Sequence, residues 1–186
     1  SRRQLLRSGP IESLLSLITN GADDVKVAAG LALQNIICFA TEDQLASMCS
    51  VELIRSIAQL SHLHDATTKE ACASALCAFS VNKRCRSSFL DGGGLTAMIE
   101  LAKIGSVLIN GFCTAMLYGI SAQEETRMKA VDMGAMKLLV QLSASSELAT
   151  KEHCARILYM LVLSDDARET LAEKGAVKVT VGLAVM

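Results

Sequence analysis

Tryptophan is absent from the 186 residues, proline occurs once, at Pro10, and only two tyrosines and four phenylalanines are present. An aromatic content of 3% is thin for a β-sandwich, whose pleated surfaces favour aromatic and β-branched side chains. A single proline also leaves little to interrupt a helix. Charge of one sign is missing too. Eighteen Lys and Arg stand against nineteen Asp and Glu, a net charge of −1, so the basic footprint of a nucleic-acid binder is absent. Arg2, Arg3 and Arg7 do cluster, and they read as a solvated helix face. Long hydrophobic runs are lacking as well. The longest strictly apolar one, residues 27–33, falls far short of the ~20 residues a membrane-spanning helix needs, so no membrane insertion is expected. The opening Ser1-Arg2-Arg3 has no signal-peptide pattern. The expectation is an internal segment of a longer array from a cytoplasmic protein, with a nuclear, cytoskeletal or ciliary setting as the variants of that reading.

What the chain does have is repetition. Gly93, Gly134 and Gly175 stand 41 residues apart, and each opens an apolar run: Leu95-Met98-Ile99-Leu101, Met136-Leu139-Val140-Leu142 and Val177-Val179-Val181-Leu183. A fixed period of this length marks an array of helical units sharing one continuous core. With so few aromatics that core must be aliphatic. The spacing predicts an all-α solenoid over 1–186 with units near 1–40, 41–82, 83–123 and 124–164 and a partial one at 165–186.

In chain order, the first unit is read as a short helix at 2–8, a break at Gly9-Pro10, a helix at 11–18 and a helix at 24–39 that is apolar on nearly all sides. Such a helix packs against neighbours on several faces. Each unit is then one short helix followed by two longer ones. The second unit is two residues longer than the others, with the extra pair between Ile36 and Leu45, so a longer turn is expected there. It also has Glu52 where the others have glycine, which predicts a bend made in a different way. Leu33, Leu76, Leu117 and Leu158 share one register, and Arg86, Arg127 and Arg168 recur in the short first helix. A core leucine and a surface arginine thus keep step.

The three-helix unit, its Gly-Ala bend and the stretch Ala32-Leu33-Gln34-Asn35-Ile36 resemble the armadillo repeat across essentially the whole chain. HEAT repeats, with two helices per unit, are the nearest rival. Either resemblance implies a right-handed α-solenoid (superhelix) with a concave inner surface. In the armadillo family that groove is lined by the third helix of each unit, and import receptors carry Trp and Asn ladders there that clamp extended basic peptides. The positions matching that Trp are Leu31, Ser74, Ala115 and Arg156, and those matching the Asn are Asn35, Ala78, Gly119 and Met160. Only Asn35 follows the pattern, which argues against a nuclear-import-type peptide receptor. The resemblance combined with i, i+4 spacing puts Glu70 with Ser74 and Ala78, and Glu152 with Arg156 and Met160, on one face. Tyr118 and Tyr159 fall beside it. The expectation is a protein-protein interaction scaffold or adaptor with a groove of small residues that admits a helix or a folded surface, flanked by Glu70, Glu152, Arg156, Tyr118 and Tyr159. An architectural part of a cytoskeletal or ciliary assembly is the alternative.

No catalytic, cofactor or metal constellation emerges, and no small-molecule substrate is expected. Cys72, Cys113 and Cys154 repeat at 41 and align with Ala29, so they are read as small apolar core residues, reduced and structural. Adjacent packed helices lie ~8–10 Å apart, too far for the ~7 Å Cα limit of a disulfide. His62 and His64 read as a solvated turn. Gly92-Gly93-Gly94 lacks the Gly-Lys-Ser/Thr ending of a P-loop and coincides with a unit bend.

Overall fold

The computed structural model describes residues 8–163 and 168–184, and every regular element among them is a helix. They are α1 (Ser8–Asn20), α2 (Asp23–Cys38), α3 (Glu42–Met48), α4 (Val51–Leu60), α5 (Ala66–Val81), α6 (Arg86–Asp91), α7 (Gly94–Ala102), α8 (Val107–Ser121), α9 (Glu124–Asp132), α10 (Ala135–Ser143), α11 (Leu148–Val162), α12 (Arg168–Lys174) and α13 (Ala176–Ala184). The sequence α3–α4–α5 repeats as α6–α7–α8 and α9–α10–α11: two shorter helices and then a long one. At the start of the chain the expectation needs correcting. Ser8, Gly9 and Pro10 lie inside α1 instead of breaking it, because a proline in the first helical turn removes an N–H that has no intrahelical partner. The short helix expected at 2–8 otherwise falls outside the described residues.

Backbone chemistry sets the bends. Gly93, Gly134 and Gly175 adopt φ of 82°, 103° and 118°, a left-handed conformation that costs any residue with a Cβ. Each therefore ends a short helix and turns the chain into the next one. Without glycine, the second unit makes its bend by capping: Ser50 is extended, and its side chain accepts a hydrogen bond from the Leu53 N–H at 3.1 Å. Just upstream, Thr41 and Gln44 form a reciprocal capping box on α3, with Thr41 N–H to Gln44 Oε1 at 2.8 Å and Gln44 N–H to Thr41 Oγ1 at 3.3 Å. That is where the extra pair of residues goes. Relative to α8, α2 runs one residue further and the linker that follows it has three residues, 39–41, against two, 122–123.

Two rows of helices result. The long helices α2, α5, α8 and α11 each pack on the next, and α1, α4, α7, α10 and α13 form a second row behind them. The core runs between the rows. Leu33, Leu76 and Leu117 are almost wholly buried there, whereas Leu158, at the last complete unit, is half-buried. Cys72, Cys113 and Cys154 fill one buried slot in successive units, with Ala29 in the first. Burying each such leucine is worth ~1.5–3 kcal/mol, so the stack is held by many equivalent apolar contacts.

The recurring arginine has a structural task. Arg86 donates from Nε to the Ser80 carbonyl at 3.1 Å and from Nη2 to the Val81 carbonyl at 3.2 Å, closing the C-terminus of α5. Arg127 repeats the contact one unit on, with Nε to the Ser121 carbonyl at 2.9 Å at the end of α8. A cation here satisfies carbonyls that a helix end leaves unpaired and opposes the negative end of the helix dipole. Along the short helices a second contact recurs: Arg84–Asp43, Lys129–Asp91 and Lys174–Asp132, each an ion pair of 2.6 Å between consecutive units.

Candidate protein-binding groove

The row of long helices brings the residues singled out in the sequence onto neighbouring helices, though not in equal roles. Asn35 on α2 is exposed. On α5, Ser74 and Ala78 are half-buried, and Ser74 Oγ lies 3.7 Å from Cys38 Sγ of α2, to which Gln34 Nε2 also donates at 3.1 Å. Glu70, one turn before Ser74, accepts from Ser106 Oγ at 3.4 Å and so joins α5 to the residue just before α8, whose hydroxyl makes no cap bond to that helix. Ala115 on α8 is half-buried. Arg156 on α11 is exposed and pairs with Glu152 at 3.2 Å, so the two charges largely cancel.

Gly119 differs. It is buried, and a Cβ built on it would lie 3.1 Å from both the Ser80 carbonyl oxygen and the Val81 Cα. Its smallness lets α8 approach the end of α5; it is a helix-packing residue and leaves no opening on the surface. Sequence alignment could not separate these roles, because a small residue in a groove and a small residue under a neighbouring helix look alike.

Tyr118 and Tyr159 project from equivalent positions of α8 and α11 and are 48% and 64% exposed. Neither ring fills the space between units. Val81 and Leu163, which the sequence reading passed over, are exposed too. They share one register, four residues beyond that of the tyrosines, and i, i+4 spacing from Tyr159 to Leu163 was the available signal. Together these side chains give the C-terminal half of the row an aromatic and aliphatic border around small residues.

The other chemistry is quiet. All seven cysteines are free thiols. Burial pushes Cys72, Cys113 and Cys154 up to about 12 from the ordinary 9.0 and Cys77 up to about 11, so none of these four is a nucleophile at neutral pH. Cys49 and Cys85 form a pair that spacing alone did not indicate. Cys49 Sγ donates to the Cys85 carbonyl at 3.9 Å; interaction with the Cys85 side chain and burial push the Cys49 thiol up, while the same interaction and nearby Arg84 lower Cys85. At the turn of the second unit, Asp65 caps α5 by accepting from the Thr68 N–H and Oγ1, both at 2.6 Å, which holds its carboxyl below the usual value. Among the described residues no group of three or more His, Cys, Asp or Glu could hold a metal ion. No helix among them is long and apolar enough to cross a membrane.

At the level of sequence, no protein-family model and no curated protein matches the chain. Solved structures do match its fold. A computationally designed armadillo repeat protein for modular peptide recognition superposes with a TM-score of 0.81 at 17% identity, over 96% of this chain and 76% of its own. A second designed armadillo repeat protein gives 0.77 at 17% identity, over 100% of this chain and 79% of its own. A third, solved in complex with the peptide (KR)4, gives 0.64 at 17% identity, over 98% of this chain and 85% of its own. The fold is an all-α solenoid of armadillo-like repeats.

Proposed function

We propose that this chain is a non-enzymatic protein-interaction scaffold or adaptor, a single array over 1–186 with units near 1–40, 41–82, 83–123, 124–164 and 165–186, that holds a partner protein along the free face of α2, α5, α8 and α11. The observation that carries the reading is the pair Tyr118 and Tyr159, exposed in one register of consecutive long helices beside the small side chains Ser74, Ala78 and Ala115. A tyrosine offers apolar area and a hydroxyl at low entropic cost, which suits an interface core. Solenoids lend themselves to this use because their units line up into extended surfaces. The matched designed proteins include one for peptide recognition and one solved with (KR)4. An equivalent basic peptide suits this face poorly. The Trp positions of import receptors hold Leu31, Ser74, Ala115 and Arg156, so the aromatic ladder that clamps such a peptide is missing, and the pairing of Arg156 with Glu152 leaves little net negative charge to attract it. A helix or a folded surface fits small residues bordered by aromatics better. The cytoplasm is the compartment this reading favours, with an architectural role in a cytoskeletal or ciliary assembly as the second reading.

The test begins with affinity purification, followed by titration of the purified partner against variants. Ala78→Arg and the double change Tyr118→Ala, Tyr159→Ala are expected to weaken binding by about 30-fold or more, the size of a hot-spot loss, while thermal stability stays near that of the parent. Unchanged binding in both folded variants, together with loss of binding on changing Thr41 and Gln44, would move the interface to the segment from Thr41 to Gln44 at the start of α3 and end the groove reading. A cofactor or metal copurifying in stoichiometric amount would reopen the question of enzymatic activity.

A further inference from the structure

The joint between the second and third units carries a pair of thiols. Cys49 follows the last turn of α3 and Cys85 precedes the first turn of α6. They stand 36 residues apart in the chain, yet Cys49 Sγ lies 3.9 Å from the Cys85 carbonyl oxygen, and the two side chains interact with each other. One unit on, the matching positions hold Leu90 and Thr126, and Val131 takes the place of Leu90 one unit further. The pair therefore belongs to this joint alone in the repeat pattern.

The surrounding backbone holds the two residues in register. Asn82 Nδ2 donates to the Glu42 carbonyl at 2.8 Å and Arg84 pairs with Asp43 at 2.6 Å, so the linker that contains Cys85 is tied to the start of α3. The Cys85 carbonyl also accepts from the Phe89 N–H at 2.8 Å. It stays satisfied when the long, weak bond from the Cys49 thiol is given up. Both cysteines sit at helix boundaries, where the backbone can adjust to the specific geometry that a disulfide demands.

Reactivity is divided between them. Cys85 has no exposed surface and Cys49 is half-buried, so a water-sized reagent reaches the pair from the Cys49 side. Contact with Cys49 and the charge of Arg84 lower the Cys85 thiol, which favours its thiolate, the form that reacts with oxidants. Cys72, Cys77, Cys113 and Cys154 are pushed the other way by burial.

We propose that Cys49 and Cys85 form a reversible redox site, which hydrogen peroxide converts to a disulfide that fastens the second unit to the third and which thiol reductants reopen. The Cys85 thiolate attacks one peroxide oxygen and the O–O bond breaks. The hydroxide released takes up the proton that Cys85 had given up and leaves as water, with a sulfenic acid left on Cys85. The Cys49 sulfur then attacks the Cys85 sulfur, the S–O bond breaks, and the hydroxyl departs as water with the Cys49 proton. Two thiols lose two electrons and one peroxide gains them.

The experiment uses the 186-residue chain, first reduced and then treated with hydrogen peroxide in native buffer. Remaining thiols are alkylated, and the digest is mapped by mass spectrometry without reduction. A peptide linked through Cys49 and Cys85 is expected as the main cross-link, and dithiothreitol is expected to abolish it. The oxidised chain is expected to melt roughly 5 °C or more above the reduced one, since the bridge restrains the unfolded chain. Cys49→Ser, its fold checked by circular dichroism, is expected to show neither the link nor the rise. Exposed Cys38 reports that the reagent was active. Oxidation of Cys38 with Cys49 and Cys85 both left free overturns the proposal, and so does a link from Cys49 to any other thiol in equal yield. A Cys49–Cys85 link that leaves the melting temperature unchanged overturns its role in fastening the joint.

Discussion

Replacing Arg86 with methionine keeps most of the side chain's bulk but removes every donor, which isolates the value of the helix cap. Arg86 reaches two carbonyls of α5 and, through Nη1, Gln123 Oε1 at 3.2 Å. The Ser80 carbonyl belongs to a residue with no solvent exposure, so its lost charge-assisted bond is set at ~1.5 kcal/mol, the lower end of the usual range. Val81 is exposed, water can replace that bond, and ~0.5 kcal/mol is assigned to it. Loss of the favourable dipole interaction adds roughly 0.5 kcal/mol. The sum is about 2–3 kcal/mol, which in a chain of this size lowers the melting temperature by roughly 5–10 °C. Arg127→Met, which loses a single carbonyl partner, is expected to cost about half as much. Repeat arrays need not unfold in one step. Amide hydrogen exchange in the last turn of α5 therefore accompanies the melting curve, and faster exchange is expected there first. If Arg86→Met shifts stability by less than ~0.5 kcal/mol, the scale of an ordinary surface change, and leaves α5 protected, the arginine is not a working cap.

Two further outcomes can be measured. Cys72, Cys113 and Cys154 have folded values raised from 9.0 to about 12; between those limits the unfolded chain gives up protons that the folded chain keeps. Stability is thus fully present below pH 9 and falls as pH rises above it, by on the order of 1 kcal/mol per pH unit for each thiol. Urea melts from pH 8 to 10.5 check this, and a triple Cys→Ala variant, matching Ala29 in the first unit, is expected to flatten the alkaline limb. Gly134→Ala forces a Cβ into φ of 103° and is expected to destabilise by about 1–2 kcal/mol, whereas Glu52→Gly gives no gain, because Ser50 already makes that bend. Equal effects from the two changes would refute the conformational argument.

Where the sequence was readable, it was readable through recurrence. Gly93, Gly134 and Gly175 announced the bends, the Leu33 register the core, and Cys72, Cys113 and Cys154 a shared buried slot, because each position meets the same neighbours in every unit. The function of the recurring arginine was not readable: a side chain on a short helix caps the helix before it only once the end of that helix is known. Gly119 resisted for a related reason, since its environment is the backbone of Ser80 and Val81, and backbone leaves no pattern in side-chain composition. Cys49 and Cys85 meet at positions that do not correspond between units, so periodicity had nothing to report. Within the candidate groove, the tyrosine register was visible, but its exposure depended on how far α8 and α11 extend.

The three ion pairs Arg84–Asp43, Lys129–Asp91 and Lys174–Asp132 give the array a mechanical asymmetry. Apolar packing between the rows has no charge to be screened, and salting-out ions if anything strengthen it. These exposed links, each worth ~0–1 kcal/mol, tie consecutive short helices and weaken as the Debye length shrinks from ~8 Å at physiological ionic strength to ~3 Å at 1 M. The stack thus has an apolar spine and, along the short helices, an ionic seam. Raising salt is expected to weaken the seam while the spine holds, so that units hinge along that edge and the curvature changes with no helix melting. Radius of gyration followed by small-angle scattering across a salt series would record that change of shape, and with it how far the groove can adjust to what it holds.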